Sequence, residues 1–341
     1  MRHQSTLLAL SALLTSFTGC STPGIDSEPI GESQIRRPVS TYSIVARDAE
    51  TGEMGVAVQS HWFSVGSVVP WAEAGVGAVD TQSLVDPSYG LLGLAHMRAG
   101  RSAPNALSSL VAGDDGREVR QVAMIDAKGN VDAFTGDNCI ADAGHIVDQS
   151  EQFSVQANLM ANDNVWPAMA DAYRNTNGEL VDRMLAALQA AQDTGGDIRG
   201  KQSAALLIVN AERTGKPWID RKFDLRIEDH PEPIKELNRL VRLQRAYHHM
   251  NAGDVAIEHE HFHKAAKEYA AAEKLAPEIV EVSFWRAVTL VSSDKVEKAL
   301  PVFRRVFERE PVWAEVVPRL VKSGLLPDDD ELIERIQQQA P

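Results

Sequence analysis

Residues 41–60, TYSIVARDAETGEMGVAVQS, hold two β-forming runs around a turn. Thr41 to Arg47 is β-rich, Asp48 to Gly52 is turn chemistry and Gly55 to Ser60 is a second strand, so a hairpin is predicted. Outward from it, a Gly/Val/Ala-rich stretch from Val65 to Val79 suits buried strands. Tyr89 to Met97 has helical spacing that stops at Gly100, and Ser102 is placed to cap a second helix running to Val111. Gln121 to Ile125 and Val131 to Phe134, separated by Asp126 to Asn130, predict another hairpin. Phe153 to Met160 reads as a strand, Val165 to Arg174 and Leu180 to Asp193 as a second helix pair, and Ser203 to Val209 with Phe223 to Ile227 as closing strands. That order predicts layered α/β (α+β) packing with mainly antiparallel strands, two sheets facing each other between helix pairs.

From about Ala246 the pattern is wholly helical. Ala265, Tyr269, Ala272 and Pro277 find counterparts one 34-residue period later at Ala299, Phe303, Val306 and Pro311, which is the tetratricopeptide spacing. Gly253 and Ala287 take the small position where paired helices pack closely. Two repeats are marginal alone, so helices over 233–250 and 314–339 are expected to cap them. An all-α helical-repeat domain is therefore expected over 243–341, serving to bind a protein partner.

The chain opens on a basic Met1-Arg2-His3, an apolar run from Leu7 to Phe17, and Phe17-Thr-Gly-Cys20. This is the layout of an export signal, and the run is shorter than the ~20 residues of a spanning helix. The small residues before Cys20 resemble a bacterial lipobox, which implies cleavage ahead of Cys20 and acylation of its thiol. Ser21 after the cysteine implies the outer membrane. An ordinary exported protein with a fortuitous cysteine is the other reading. Residues 21–40 are Ser, Pro, Gly, Glu and Arg with few large apolar side chains, the composition of a flexible tether. Net charge is −14 without a basic cluster, which argues against a nucleic-acid partner. Cys139 is the one cysteine besides Cys20, so the mature chain has no intramolecular disulfide.

Thr41 to Asp48, Gly55 to Ser60, Gln82 with Pro87-Ser-Tyr-Gly90, Ala133-Phe-Thr-Gly136 and Cys139 together resemble one family. Ala143-Gly-His145, Ser154-Val-Gln-Ala-Asn158, Gly195 to Ala205 and Asp224 to Pro231 carry the same resemblance. It is the domain-of-unknown-function family numbered 1028, placed by fold among the N-terminal-nucleophile (Ntn) hydrolases, and the resemblance runs from Thr41 to about Arg242. It implies a four-layer αββα sandwich over 41–242. It also implies chemistry in which the first Thr, Ser or Cys of the processed chain is nucleophile and its own α-amine, near pKa ~8, is general base.

Thr41 stands where that nucleophile belongs, although it lies inside the precursor and gains an amine only if the Ser40-Thr41 bond is cut. The plainer reading is a β-branched residue starting a strand. The lysine that superfamily proteases place about thirty residues downstream is missing: none lies between Thr41 and Lys128, leaving Arg47 and Arg199 as candidates for its charge. Gly195 to Ser203 is the densest functional stretch: Gly196 allows close backbone approach, Asp197 and Arg199 orient or activate, and Gln202 and Ser203 hydrogen-bond a substrate. Its alternative is a helix cap followed by a solvated turn. Asn158 is placed to help hold an oxyanion, or to satisfy strand-end backbone. His259, His261 and His263 lack a completing ligand and read as surface histidines, so no metal or other cofactor is expected.

Two functions are expected from this. One is an envelope-localised amide hydrolase acting on a small molecule or peptide. The other is a non-catalytic binding or assembly lipoprotein of the same fold.

Overall fold

The computed structural model describes residues 39–341. The expected export signal, the expected lipid attachment at Cys20 and the expected tether up to residue 38 lie outside the described residues. The tether's last two residues depart from expectation, because Val39 and Ser40 are fully buried and Val39 forms an antiparallel bridge to Ser83.

In chain order the elements are β1 (Thr41–Arg47), β2 (Met54–Ser60), β3 (Pro70–Glu73), β4 (Gly77–Ser83), α1 (Ser88–Arg98) and α2 (Ala103–Gly113). Next come β5 (Arg120–Asp126), β6 (Val131–Thr135), β7 (Gly144–Asp148), β8 (Phe153–Ala157), α3 (Val165–Asn175) and α4 (Leu180–Asp193). β9 (Ser203–Val209), α5 (Pro217–Asp220) and β10 (Arg221–Ile227) complete the mixed part. The remainder is helical: α6 (Pro233–Glu258), α7 (Phe262–Leu275), α8 (Val280–Ser292), α9 (Val296–Arg309), α10 (Val312–Val316), α11 (Arg319–Lys322) and α12 (Asp330–Gln337).

The strands form a six-stranded sheet ordered β10-β9-β2-β1-β8-β7 and a four-stranded sheet ordered β3-β4-β5-β6, with every neighbouring pair antiparallel. Strand alternation separates the faces. Tyr42, Ile44 and Ala46 of β1 pack with Phe153, Val155 and residues of α3, α4 and α6, whereas Val45 packs with Ala78, Ala123 and Ile125 of the second sheet. The outer face of that second sheet, with Val79, Val122 and Met124, is covered by α1 and α2. The layers therefore run helices, sheet, sheet, helices. Each large apolar side chain buried this way contributes roughly 1.5–3 kcal/mol.

Three local expectations change. β7 was not anticipated, because GHIVD is half-buried at a sheet edge and its hydrophobic signal is diluted. The stretch from Val65 begins with a 3-10 turn before β3 and β4 form. Ser102 holds the N-cap position of α2 without a side-chain cap bond; the Asp126 carboxylate accepts from Ala103 N–H instead, at 3.0 Å.

The boundary expected between 242 and 243 falls inside α6, a continuous 26-residue helix. Its first half puts Ile234, Leu237 and Val241 into the core of the larger sheet, and its second half puts Ala246, Met250 and Ala256 against Ala265, Tyr269 and Ala272 of α7. The Arg245 guanidinium reaches back to the carboxylates of Glu179 and Asp182 that frame the start of α4. Ala299, Phe303 and Val306 of α9 are buried like their partners one period earlier, in a core that α11 and α12 help close through Leu320, Ile333 and Ile336. Among the described residues no helix is long and apolar enough to cross a membrane.

Candidate functional site

β1 lies inside the larger sheet between β2 and β8, and Thr41 is its first residue, paired in register with Ser60, which is in turn paired with Ser203. Thr41 is fully buried. Its Oγ1 donates to the Val39 carbonyl at 2.5 Å and lies 3.4 Å from the Ser60 Oγ. The carbonyl of the preceding residue, Ser40, accepts from Ser60 Oγ at 2.5 Å and from Arg199 Nη2 at 2.9 Å. Two donors on one peptide oxygen, one of them a cation, stabilise negative charge that develops there. The hydroxyl of Thr41 is thus next to a polarised carbonyl, the one that closes its own peptide bond.

The loop after α4 supplies the cation. Gly195 and Gly196 take φ of +119° and +59°, and Gly196 N–H donates to the Ala191 carbonyl at 2.9 Å, so the glycine pair does cap the helix. Gly196 also lies where a Cβ would come within 3.3 Å of the Tyr42 ring. The turn then carries Asp197, buried at 3% exposure, under Arg199. Asp197 accepts from Arg199 Nη2 at 2.7 Å and Nε at 3.0 Å, and from His61 N–H at 3.2 Å. A carboxylate fixing a guanidinium in this forked manner aims the remaining N–H with little freedom.

Thr41, Asp197 and Arg199 are therefore brought together, and Asn158 flanks them. Its backbone N–H donates to the Thr41 carbonyl at 3.1 Å while its side-chain amide donates to Gln121 at 2.9 Å. Gln202 engages through its backbone, donating to Ser60 O at 3.1 Å and accepting from His230 N–H at 2.8 Å. The Ser203 hydroxyl ties the 62–65 loop, accepting from Val65 N–H at 3.1 Å and donating to the Trp62 carbonyl. Arg47, the other candidate cation, is at the far end of β1, roughly 20 Å along the strand, where it donates to Gln152 at 2.7 Å. Arg199 alone of the two approaches Thr41.

The sequence reading missed a buried polar layer between the sheets. Ser43, Asp80, Gln82, Gln121 and Gln156 are each fully buried. Ser43 Oγ lies 2.9 Å from Asp80 Oδ2 and 2.8 Å from Gln82 Oε1, and accepts from Gln156 Nε2 at 2.7 Å. Gln82 Nε2 donates to Gln121 at 2.6 Å and reaches the Thr41 carbonyl at 3.4 Å. Gln121 continues to Thr135 at 2.9 Å, and Thr135 to His145 at 2.8 Å. Burial pushes the Asp80 carboxyl up to about 8 against the lowering effect of its Ser43 and Gln156 bonds. Donor counting agrees, since Ser43 owns one hydrogen and faces two acceptors; a protonated Asp80 donates to Ser43 and leaves that hydrogen for Gln82. The legible signal was polar residues at every second position of otherwise buried strands: Thr41/Ser43, Asp80/Gln82 and Ser154/Gln156/Asn158.

Several buried polar atoms around Thr41 lack a partner among the described residues: Ser40 Oγ, Asn158 Oδ1, both amide atoms of Gln59, and Asp80 Oδ1. Such atoms are costly unless something else meets them. The Cys139 thiol donates to the Arg120 carbonyl at 3.2 Å, and burial pushes its pKa up, which suits an inert thiol.

The family described as a family of unknown function, DUF1028, matches residues 41–237. The crystal structure of protein SPO2555 from Silicibacter pomeroyi, which carries the same family label, is 30% identical with a TM-score of 0.53, covering 60% of this chain and 85% of that one. No curated protein matches.

Proposed function

This chain belongs to the DUF1028 family, matched over residues 41–237, and on that premise we propose that it is an amide-bond hydrolase of the N-terminal-nucleophile type. The observation that carries the proposal is the Ser40 carbonyl, held by Ser60 Oγ at 2.5 Å and Arg199 Nη2 at 2.9 Å beside the Thr41 hydroxyl. Attack of Thr41 Oγ on that carbonyl carbon forms an ester and breaks the Ser40-Thr41 C–N bond, the hydroxyl proton passing to the departing nitrogen. Water then hydrolyses the ester, releasing Ser40 as a carboxylate and leaving Thr41 with a free α-amine and its hydroxyl. In each later turnover the amine takes the hydroxyl proton, Oγ attacks a substrate amide, the proton goes to the leaving amine, and water hydrolyses the resulting Thr41 ester to a carboxylate and the free hydroxyl. Ser60 and Arg199 serve the same oxygen position, with Asp197 holding Arg199.

In this reading the helix–sheet–sheet–helix layering is an Ntn-hydrolase αββα sandwich and α6 to α12 a tetratricopeptide-like array that receives a protein partner. The chain is exported and lipid-anchored through Cys20, so the substrate is a peptide, small amide or cell-wall fragment of the bacterial envelope.

A non-catalytic binding protein is the second reading. It is favoured by the Thr41 hydroxyl hydrogen being committed to the Val39 carbonyl at 2.5 Å. Hydrolysis of a panel of peptide and N-acyl anilides separates the two. Thr41→Ser retains turnover and Thr41→Ala loses it if Thr41 is the nucleophile; a Thr41→Ala enzyme as active as the parent eliminates the mechanism.

A further inference from the structure

We propose that the Val39-Ser40 segment occupies the site as the acyl half of a substrate, so that the vacated site takes an extended peptide with a branched aliphatic residue second from the scissile carbonyl and a small residue next to it. This rests on the hydrolase reading above and names its substrate class.

Three features of the segment support it. Its backbone is held by one antiparallel bridge: Val39 N–H donates to Ser83 O at 2.7 Å, and Ser83 N–H returns to Val39 O at 3.1 Å. Main-chain pairing of this kind fixes an extended ligand whatever its side chains are. The Val39 side chain is fully buried in an apolar cluster with Val58, Val65, Val69, Val85 and Ala205, drawn from β2, β9 and the connections around β3 and β4. A pocket of β-branched and small side chains fits Val or Ile and charges heavily for a carboxylate or ammonium. Ser40 is also fully buried with no partner for its Oγ among the described residues, so that position admits a small side chain without requiring its hydroxyl. Its carbonyl alone is gripped by charged and hydroxyl donors. The acyl side is thus built to read backbone and one aliphatic side chain.

The reaction on such a peptide consumes one water, releasing a peptide ending in the small residue as a carboxylate and the group beyond it as an amine. The test uses the full chain, its processing followed by intact mass, and acetyl-Ala-Xaa-Ser-aminomethylcoumarin with Xaa as Val, Ile, Ala, Asp or Lys. The expected kcat/KM for Val and Ile exceeds that for Ala by roughly ten-fold or more, as two methyl groups in a fitted pocket imply, with Asp and Lys lower still. Val85→Ala, which enlarges the pocket, shifts the preference from Val toward the larger Ile. Processing shows the same selectivity in cis, proceeding in Val39→Ile and slowing in Val39→Asp. A chain that processes itself and turns over all five peptides alike overturns the substrate class and leaves the hydrolase reading standing. A chain that yields no Thr41 terminus and no turnover overturns both.

Discussion

Two side chains on one carbonyl oxygen set the residue-scale chemistry. If Ser60 and Arg199 stabilise the oxygen of Ser40, then Ser60→Ala slows appearance of the Thr41 terminus by about 10²–10³-fold, the usual cost of losing one such donor, with the melting temperature little changed. Processing at the parental rate in Ser60→Ala removes Ser60 from the mechanism. Asp80 allows a second test. Its carboxyl is raised to about 8 in the folded chain, against about 3.9 when unfolded. Between those values the folded state holds a proton that the unfolded state has lost. Stability from this group is therefore complete below pH ~4, falls by about 1 kcal/mol per pH unit across the window, and is lost above the folded value. Asp80→Asn keeps a donor toward Ser43 and removes the titration, so the difference in urea midpoint between parent and variant should change steadily from pH 5 to 8; parallel pH profiles contradict a neutral Asp80. The family resemblance singled out Thr41, and the charge of the loop after the paired glycines singled out Asp197 and Arg199. Ser60 was not, since its role comes from cross-strand register, which no single strand encodes.

Elements place these residues more firmly than local preference suggests. β1 supplies Thr41 and Ser43 on the face toward the second sheet while Tyr42 and Ile44 anchor the opposite face, so a one-residue slip would exchange the polar and apolar sets. Periodicity predicted this hairpin, both helix pairs and the closing strands. It missed β7, whose half-buried edge weakens the pattern; the limit near 242 came from the family resemblance, and α6 crosses that point unbroken. Composition shifts there, from a face covering the sheet to one packing on α7, without any helix-breaking residue. Gly253 marks that second contact: a Cβ there would come within 2.9 Å of the Tyr269 ring. Gly253→Val is expected to destabilise by about 1–3 kcal/mol through overpacking, read as a lowered urea midpoint. Gly113→Ala, where a Cβ meets nothing within 4 Å, is the matched control and should be neutral or slightly stabilising.

On the scale of the whole molecule, α6 joins an α/β body that holds the Thr41 site to a helical region with its own cores, and Arg245 links that helix to the start of α4. The chain's acidity, −14 overall, disfavours polyanionic partners. The proposed lipid at Cys20 and the proposed cut at Ser40-Thr41 pull against each other, because cleavage separates the folded body from its anchor unless Val39 stays paired with Ser83 or the body docks elsewhere. Both consequences meet at one bond. Intact mass of the chain produced with its N-terminal segment in a bacterial host, taken from membrane and soluble fractions, reads that bond directly. A species beginning at Thr41 is expected in the parent and none in Thr41→Ala. Recovery of the parent only as chains uncut between Ser40 and Thr41 would contradict the proposed mechanism.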